Sequence, residues 1–360
     1  MTSTPTTDID VQLREFRVQV AEIVNGFLRD QVEFLTSISA DLLPLLDTLE
    51  DLLEGGKRLR PTFAYWGWRA AGGSADGPIL RAASSLEFLQ ACALIHDDVM
   101  DGSDTRRGKP AAHRRLASIH RSHGYLGSPE DFGVGSAILL GDLCLSWSDE
   151  LLMSSGLPTA SLAAAKPLFD EMRTELMAGQ YLDLLEQVRG EFDLDNALLV
   201  ARYKSAKYTI ERPLHIGAAA AGADPEVLSQ LTAFGIPLGE AFQLRDDLLG
   251  VFGDPSETGK PAGDDLREGK RTALVAIAWG RSNAVQRDLL RQHLGDPAIT
   301  PAMVDQLREV ITATGARAEV EQMIEQRFQT CEQVIAAMDL DDLTRAALDR
   351  LTVLATRRSA

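Results

Sequence analysis

Cysteine is scarce in this chain, and positive charge is in deficit. Only three cysteines, Cys92, Cys144 and Cys331, occur among 360 residues. They are far apart and sit in apolar helical patterns, which speaks against disulfides or a CxxC metal site and for a reducing compartment. Lysine and arginine number 36 against 53 acids, a formal charge of -17. That balance argues against a nucleic-acid partner, since phosphate backbones recruit basic surfaces. No run reaches the ~18 apolar residues expected of a transmembrane helix. The opening MTSTPTTDIDVQLREF lacks the basic and apolar regions of a signal peptide, so the expectation is a cytoplasmic protein with no transmembrane segment. The six histidines form no HExxH, only an HxxH at His120 and His123, and no nucleophilic triad is legible. Gly253 to Lys260 fails the P-loop pattern, because five residues separate its glycines and Pro261 follows the lysine.

What is present is helical. With 45% hydrophobic residues the chain has ample material for a large core. Apolar residues recur at three-to-four spacing over Val11 to Ile38, Asp41 to Leu53, Pro61 to Ala71, Pro78 to Asp101, Ser136 to Met153, Thr159 to Arg189, Asn196 to Ala221, Glu226 to Val251 and Thr272 to Trp279, and helix pairs continue to the C-terminus. Strand alternation is hard to find. Breaks fall at Gly72-Gly73, Gly77-Pro78, Ser155 to Pro158, Gly222 to Pro225 and Gly295 to Pro297. Gly124 to Gly135 reads as a mobile polar loop, and Gly253 to Gly269 as a longer loop placed to close over the preceding helix. The pattern predicts an all-α fold with one domain over 11–360, after a tail at 1–10.

Two acidic segments carry the chemistry: Asp97-Asp98-Val99-Met100-Asp101 and Asp246-Asp247-Leu248-Leu249-Gly250. Helical spacing puts Asp97 and Asp101 on nearly one face with Asp98 at its edge. Like charges there repel, and the preceding run from Leu86 to Ile95 is too apolar for a solvated face. A cation is the simplest remedy, and hard carboxylate oxygens suit Mg²⁺ shared with substrate phosphates. Basic residues cluster beside these segments: Lys57 and Arg60 in GGKRLRP, then Arg106, Arg107 and Lys109, then Lys204 and Lys207 on one helical face, then Lys260 and Lys270. Such cations suit diphosphate oxygens.

With GGKRLRP at Gly55 to Pro61, LIHDDVMDGSDTRRGKP at Leu94 to Pro110, GQYLDL at Gly179 to Leu184, YKSAKYT at Tyr203 to Thr209, AFQLRDD and TGKPAGDDLREGKRT, the chain resembles the trans-isoprenyl diphosphate synthases, or polyprenyl synthetases, from about Leu52 to Arg271. The resemblance implies a helical bundle of isoprenoid-synthase type around a deep central cavity, a homodimer, and magnesium, three ions per active site. It implies condensation of isopentenyl diphosphate with dimethylallyl, geranyl or farnesyl diphosphate. Lys57, Arg60, Gln90 and Arg107 match positions that hold the diphosphate of isopentenyl diphosphate. Asp97, Asp98 and Asp101 match the first metal motif; Asp246 and Asp247 match the second. Arg106, Lys204 and Lys260 match positions gripping the allylic diphosphate, with Gln243 beside them and Ser205 where threonine is usual. Gly250 departs from the pattern, whose last residue is an aspartate, and Asp254 or Asp264 is the expected substitute.

Product length is read from the residues preceding Asp97. Ala93 and Cys92 are small and Leu89 or Phe88 lies about one turn deeper, which favours growth past fifteen carbons, to geranylgeranyl diphosphate. Farnesyl or longer products, a class I terpene cyclase, and a non-catalytic helical partner subunit are the alternatives. A cyclase has one diphosphate to hold and no need of Lys57, Arg60 and Arg107.

Overall fold

The computed structural model describes residues 5–74, 77–254, 263–296 and 298–357. The chain divides into two compact units, Met1–Tyr65 with Ser74–Leu162, and Trp66–Gly73 with Ala163–Ala360. The fold is all-α. Among the described residues the sole sheet is a two-residue hairpin, β1 (Thr105–Arg106) antiparallel to β2 (Lys109–Pro110).

The first unit contains α1 (Pro5–Ile38), a 3-10 turn at Ala40–Leu42, α2 (Leu43–Leu53), the start of α3 (Leu59–Ala70), α4 (Gly77–Asp101), α5 (Ala112–His123) and α6 (Pro129–Met153). α1 reaches back into the stretch read as a tail, and its Ile9 is buried. Pro44 at the first turn of α2 explains why the segment begins as a 3-10 turn and not as a helix from Asp41. α4 is buried on most sides, from Ile79 to Asp98, and packs on α6 and α1. By length and composition it qualifies as a membrane span, but 67% of its apolar window is buried inside the protein, as a core helix requires. Phe27, Phe88 and Trp147 meet edge to face at the centre of this core, with ring centroids 5.1–6.5 Å apart.

The loop read at Gly124 to Gly135 is shorter than expected. Ser128 caps α6 by accepting from the Asp131 amide, Pro129 opens the helix, and Glu130 and Asp131 sit in its positive first turn. Gly133 is there for close packing, not flexibility: a Cβ would lie 2.3 Å from the His113 carbonyl on α5.

The second unit contains α7 (Thr159–Arg189) from Ala163 onward, α8 (Leu194–Val200), a π-helix (Ala201–Glu211), α9 (Arg212–Ala220), α10 (Pro225–Phe252), and helices at Asp264–Glu268, Ala273–Arg281, Ala284–His293, Pro301–Ala313, Ala316–Ala337 and Asp342–Thr356. Periodicity reads Asn196 to Ala221 as one α-helix. The chain is helical throughout, but its middle eleven residues wind with wider i→i+5 bonding. α10 starts where Asp224 caps the Val227 amide and Pro225 follows. It packs on the π-helix and on Ala316–Ala337. Leu244, Leu248, Val251, Leu266, Leu274 and Ile311 are among the residues of this unit's core.

Candidate active site

In the first unit, α4 ends in the acidic segment. Asp98 is 2% exposed, while Asp97 and Asp101 are half-buried and continue a half-buried stripe through Gln90, Ala93 and Leu94. The hairpin then returns the chain beside these acids. Its two-residue turn, Arg107-Gly108, has φ of 54° and 75°, the paired left-handed geometry that suits tight hairpins. Arg106 donates from Nε to Asp98 Oδ1 at 2.9 Å, with a second contact from Nη2 to the same oxygen, and Nη2 lies 3.6 Å from Asp97. The buried Asp98 charge is thereby paired.

The GGKRLRP loop precedes α3. Lys57 is exposed and Arg60 half-buried. Arg58, which sequence reasoning passed over, is 6% exposed, forms a buried ion pair with Glu87 of α4, and donates to the Leu53 carbonyl. Arg107 donates to the Leu52 carbonyl at 3.0 Å. Partial desolvation holds the Arg107 guanidinium below its ordinary pKa; Glu87 opposes this, and the like charges of Arg58, Arg106 and Arg60 add to it. Four arginines so arranged favour an anion. Lys109 is spent otherwise, on surface pairs with Asp51 (3.0 Å) and Glu54 (2.8 Å).

The residues proposed to set product length divide. Ala93 lies one turn before Asp97 on the half-buried stripe. Phe88 is about two and a half turns away, on the opposite side, against Phe27 and Trp147. Cys92 is buried in the same core, its thiol pushed up to about 12 chiefly by burial and then by the charge of Asp142. Leu89 is also buried, at 1% exposure. Phe88 packs in this aromatic core and is not on the stripe that bears Asp97.

In the second unit, the π-helix separates the two lysines that α-helical spacing puts on one face. Lys204 Nζ lies 2.6 Å from Asp183 Oδ2 of α7, whereas Lys207 pairs with Glu175 at 2.8 Å, two turns earlier on α7, and with Glu211 at 3.4 Å. Ser205 is half-buried beside Lys204. Asp183 belongs to the GQYLDL motif; its signal was an acid on a helix face that is otherwise packed. A Cβ at Gly179 would lie 2.5 Å from the Lys204 amide nitrogen, so α7 approaches the π-helix as only glycine permits.

α10 presents Gln243, Asp246 and Gly250 half-buried, and Asp247 at 4% exposure. Gln243 Nε2 donates to Asp247 Oδ1 at 2.7 Å. Burial pushes the Asp247 carboxyl up to about 8; the Gln243 hydrogen bond opposes this, the charges of Asp265 and Asp246 reinforce it, and Lys270 opposes it. The acid nearest Gly250 is neither Asp254 nor Asp264 but Asp265, whose carboxylate fills the space a side chain there would take. Lys260 lies outside the described residues.

These residues fit magnesium. The donors are carboxylate oxygens, the ligand class that hard cations prefer. Among the described residues no three ligating side chains are gathered to hold an ion by themselves.

An all-α scaffold with these acidic and basic motifs defines a trans-prenyltransferase. The chain belongs to the polyprenyl synthetase family, whose model matches residues 44–311. It is similar to a crystal structure of geranylgeranyl pyrophosphate synthase from Corynebacterium glutamicum complexed with isoprenyl diphosphate and magnesium, at 42% identity and a TM-score of 0.94, covering 96% of this chain and 99% of that one. It is 32% identical over 304 residues to geranylgeranyl diphosphate synthase of Mycobacterium tuberculosis, covering 84% of this chain and 80% of that protein. It is 36% identical over 228 residues to geranylfarnesyl diphosphate synthase of Aeropyrum pernix, covering 62% of this chain and 66% of that protein.

Proposed function

We propose that this protein condenses isopentenyl diphosphate with allylic diphosphates to make geranylgeranyl diphosphate. The observation that carries the reading is the closeness to the Corynebacterium glutamicum synthase, a structure complexed with isoprenyl diphosphate and magnesium. In this reading Lys57, Arg60, Gln90 and Arg107 hold one diphosphate directly. Arg106, Lys204, Ser205, Gln243 and Lys260 hold the allylic diphosphate, and Asp97, Asp98, Asp101, Asp246 and Asp247 hold magnesium. Bound magnesium supplies positive charge to the diphosphate oxygens and so favours departure of pyrophosphate. In this reading Lys204 and Arg106 each supply positive charge that stabilises the leaving group. The allylic C1–O bond breaks to release pyrophosphate, the isopentenyl double bond attacks C1, and the resulting cation gives a proton to the departing pyrophosphate to complete the new alkene. No side-chain nucleophile is needed, which accords with the missing triad.

Small Ala93 below Asp97 supports a product longer than fifteen carbons. Phe132, Ile138 and Leu139 of α6 are exposed large apolar residues, and they support self-association as a homodimer. Cytoplasmic residence accords with three buried free thiols. Incubation with labelled isopentenyl diphosphate, each of the three allylic primers and Mg²⁺ tests the assignment. A twenty-carbon diphosphate is expected. A product stopping at fifteen carbons overturns the length, and hydrocarbon made without isopentenyl diphosphate overturns the reaction.

A further inference from the structure

Lys207 and Arg212 are five residues apart, yet both hold the same carboxylate. Glu175 Oε1 lies 2.8 Å from Lys207 Nζ, and Arg212 grips Glu175 with two prongs, Nε to Oε2 and Nη2 to Oε1, each at 2.7 Å. We propose that Glu175 is a positioning residue: by tying Lys207 to Arg212 it selects the wide winding of Ala201–Glu211 and so the direction in which Lys204 is presented. The inference rests on the reading of Lys204 as a ligand of the allylic diphosphate, and it deepens that reading.

An α-helix advances about 100° per residue, so positions five apart point about 140° away from each other. One carboxylate on a neighbouring helix does not reach both. Where the winding closes i→i+5 bonds, positions five apart stack on one face. The backbone closes that same step, since the Arg212 amide donates to the Lys207 carbonyl. Main chain and side chains therefore mark one register, and Glu175 is the outside group that ties it. The tie is largely out of water, with none of the three side chains more than 15% exposed. Burial pushes the Glu175 carboxyl up, but the hydrogen bonds from Arg212 and Lys207 outweigh it and hold the group below the usual carboxylate range. Glu211, the last residue of the π-helix, adds a contact to Lys207 at 3.4 Å, and Glu171 adds one to Arg212 at 2.6 Å.

Glu175, Gly179 and Asp183 run along one strip of α7 at four-residue steps, the two acids about 12 Å apart along its axis. Lysines three apart on an α-helix would be separated by only about 4.5 Å along theirs. Here Lys207 is drawn to Glu175 while Lys204 Nζ lies 2.6 Å from Asp183 Oδ2. Rewinding the segment as an α-helix with Lys207 still held would turn Lys204 away from Asp183.

Steady-state kinetics and thermal unfolding together test this. Glu175→Gln keeps the volume and removes the charge. It is expected to lower kcat/KM for the allylic primer at least about tenfold, the scale of a small displacement at a reacting group, with KM for isopentenyl diphosphate nearly unchanged. The same change in a Lys204→Ala protein is expected to cost little further activity, while its effect on the unfolding midpoint is alike in both backgrounds. Arg212→Lys keeps a charge but loses the fork; this milder variant is expected to act in the same direction and with the same dependence on Lys204. A Glu175 that serves the fold alone would lower activity by an equal factor with or without Lys204, and that outcome overturns the inference. So does a Glu175→Gln enzyme with the parent's kcat/KM. A Lys204→Ala enzyme as active as the parent would instead overturn the reading of Lys204 on which the inference rests.

Discussion

Arg58 and Arg107 are the two non-glycine residues with left-handed backbone among those described, at φ of 50° and 54°, and their guanidinium groups reach adjacent carbonyls, Leu53 and Leu52, at the end of α2. Each strained backbone costs of order 1–3 kcal/mol and persists where surroundings over-determine it. Here the over-determination is visible: a helix C-terminus that accepts both cations, and Glu87 beneath Arg58. The two residues lie in the GGKRLRP loop and in the hairpin, from which Lys57, Arg60 and Arg107, three of the four proposed isopentenyl diphosphate ligands, come.

Removing Glu87 should expose how much depends on that pair. Glu87→Ala leaves the Arg58 guanidinium buried without its counter-charge, a loss of about 3–5 kcal/mol. Urea unfolding should show the decrease, and Arg58→Met/Glu87→Leu should recover most of it. Equal stability of parent and Glu87→Ala would mean the pair is not buried in solution.

Asp183 is expected to orient Lys204 for the allylic diphosphate. Asp183→Asn removes one charge-assisted hydrogen bond worth roughly 1.5–3 kcal/mol, so kcat/KM should fall roughly tenfold to a hundredfold, with the dependence on the allylic substrate most affected. A Lys204-independent fall, seen as additive losses in Asp183→Asn/Lys204→Ala, would refute the coupling.

Gly179 tests the closeness of α7 and the π-helix. Gly179→Ala must displace the backbone at Lys204, and overpacking of this kind costs about 1–3 kcal/mol. Both the unfolding midpoint and kcat should drop. Retention of full activity would place Lys204 outside the reaction.

Product length separates two neighbours. Ala93→Phe on the Asp97 stripe should shorten the product with little effect on stability, while Cys92→Phe should overpack the Phe27, Phe88 and Trp147 core and lower stability by about 1–3 kcal/mol. Chromatography of hydrolysed products and thermal unfolding decide between them. A shortened product from Cys92→Phe with unchanged stability would reverse the assignment.

His215 gives a pH signature. It is 6% exposed, its Nε2 donates to the Leu228 carbonyl at 3.1 Å and lies 3.0 Å from the Thr232 hydroxyl, and it faces Glu211, Arg212 and Lys207. Burial lowers its pKa below 6.5, partly opposed by Glu211. The folded state therefore binds fewer protons than the unfolded one. The stability this group contributes is present above pH 6.5 and is lost as pH falls through its folded pKa. Unfolding free energy measured from pH 8 to 5 should decline, and His215→Gln should flatten that decline. An identical slope in the variant would assign the effect elsewhere.

Much of this architecture was legible in the sequence. α7 spans Thr159–Arg189 as periodicity indicates, and α10 begins at its Asp224-Pro225 signal. The start of α6 was legible too, in Ser128-Pro129-Glu130-Asp131, but Gly133 and Gly135 masked it by reading as loop. The π-helix was not legible, because its winding is fixed by neighbours such as Gly179 and leaves no period of its own. Nor was the Gly250 and Asp265 relation, which links positions fifteen apart in the sequence. The acidic and basic residues of the candidate site could be proposed from their motifs, while the packing contacts of Glu87, Asp183 and Asp265 emerge only from the fold.

The π-helix also changes what counts as a tolerable alteration between Ala201 and Glu211. Its wider turns hold more residues in the same length than an α-helix does, so deleting one residue would let the segment rewind in the commoner form. Everything before the deletion would then rotate by about 100° relative to everything after it. A substitution there risks one side chain. A deletion risks the angular phase between the lysine that faces Asp183 and the helix Arg212–Ala220, so the number of residues in this stretch is as much a functional property as their identity.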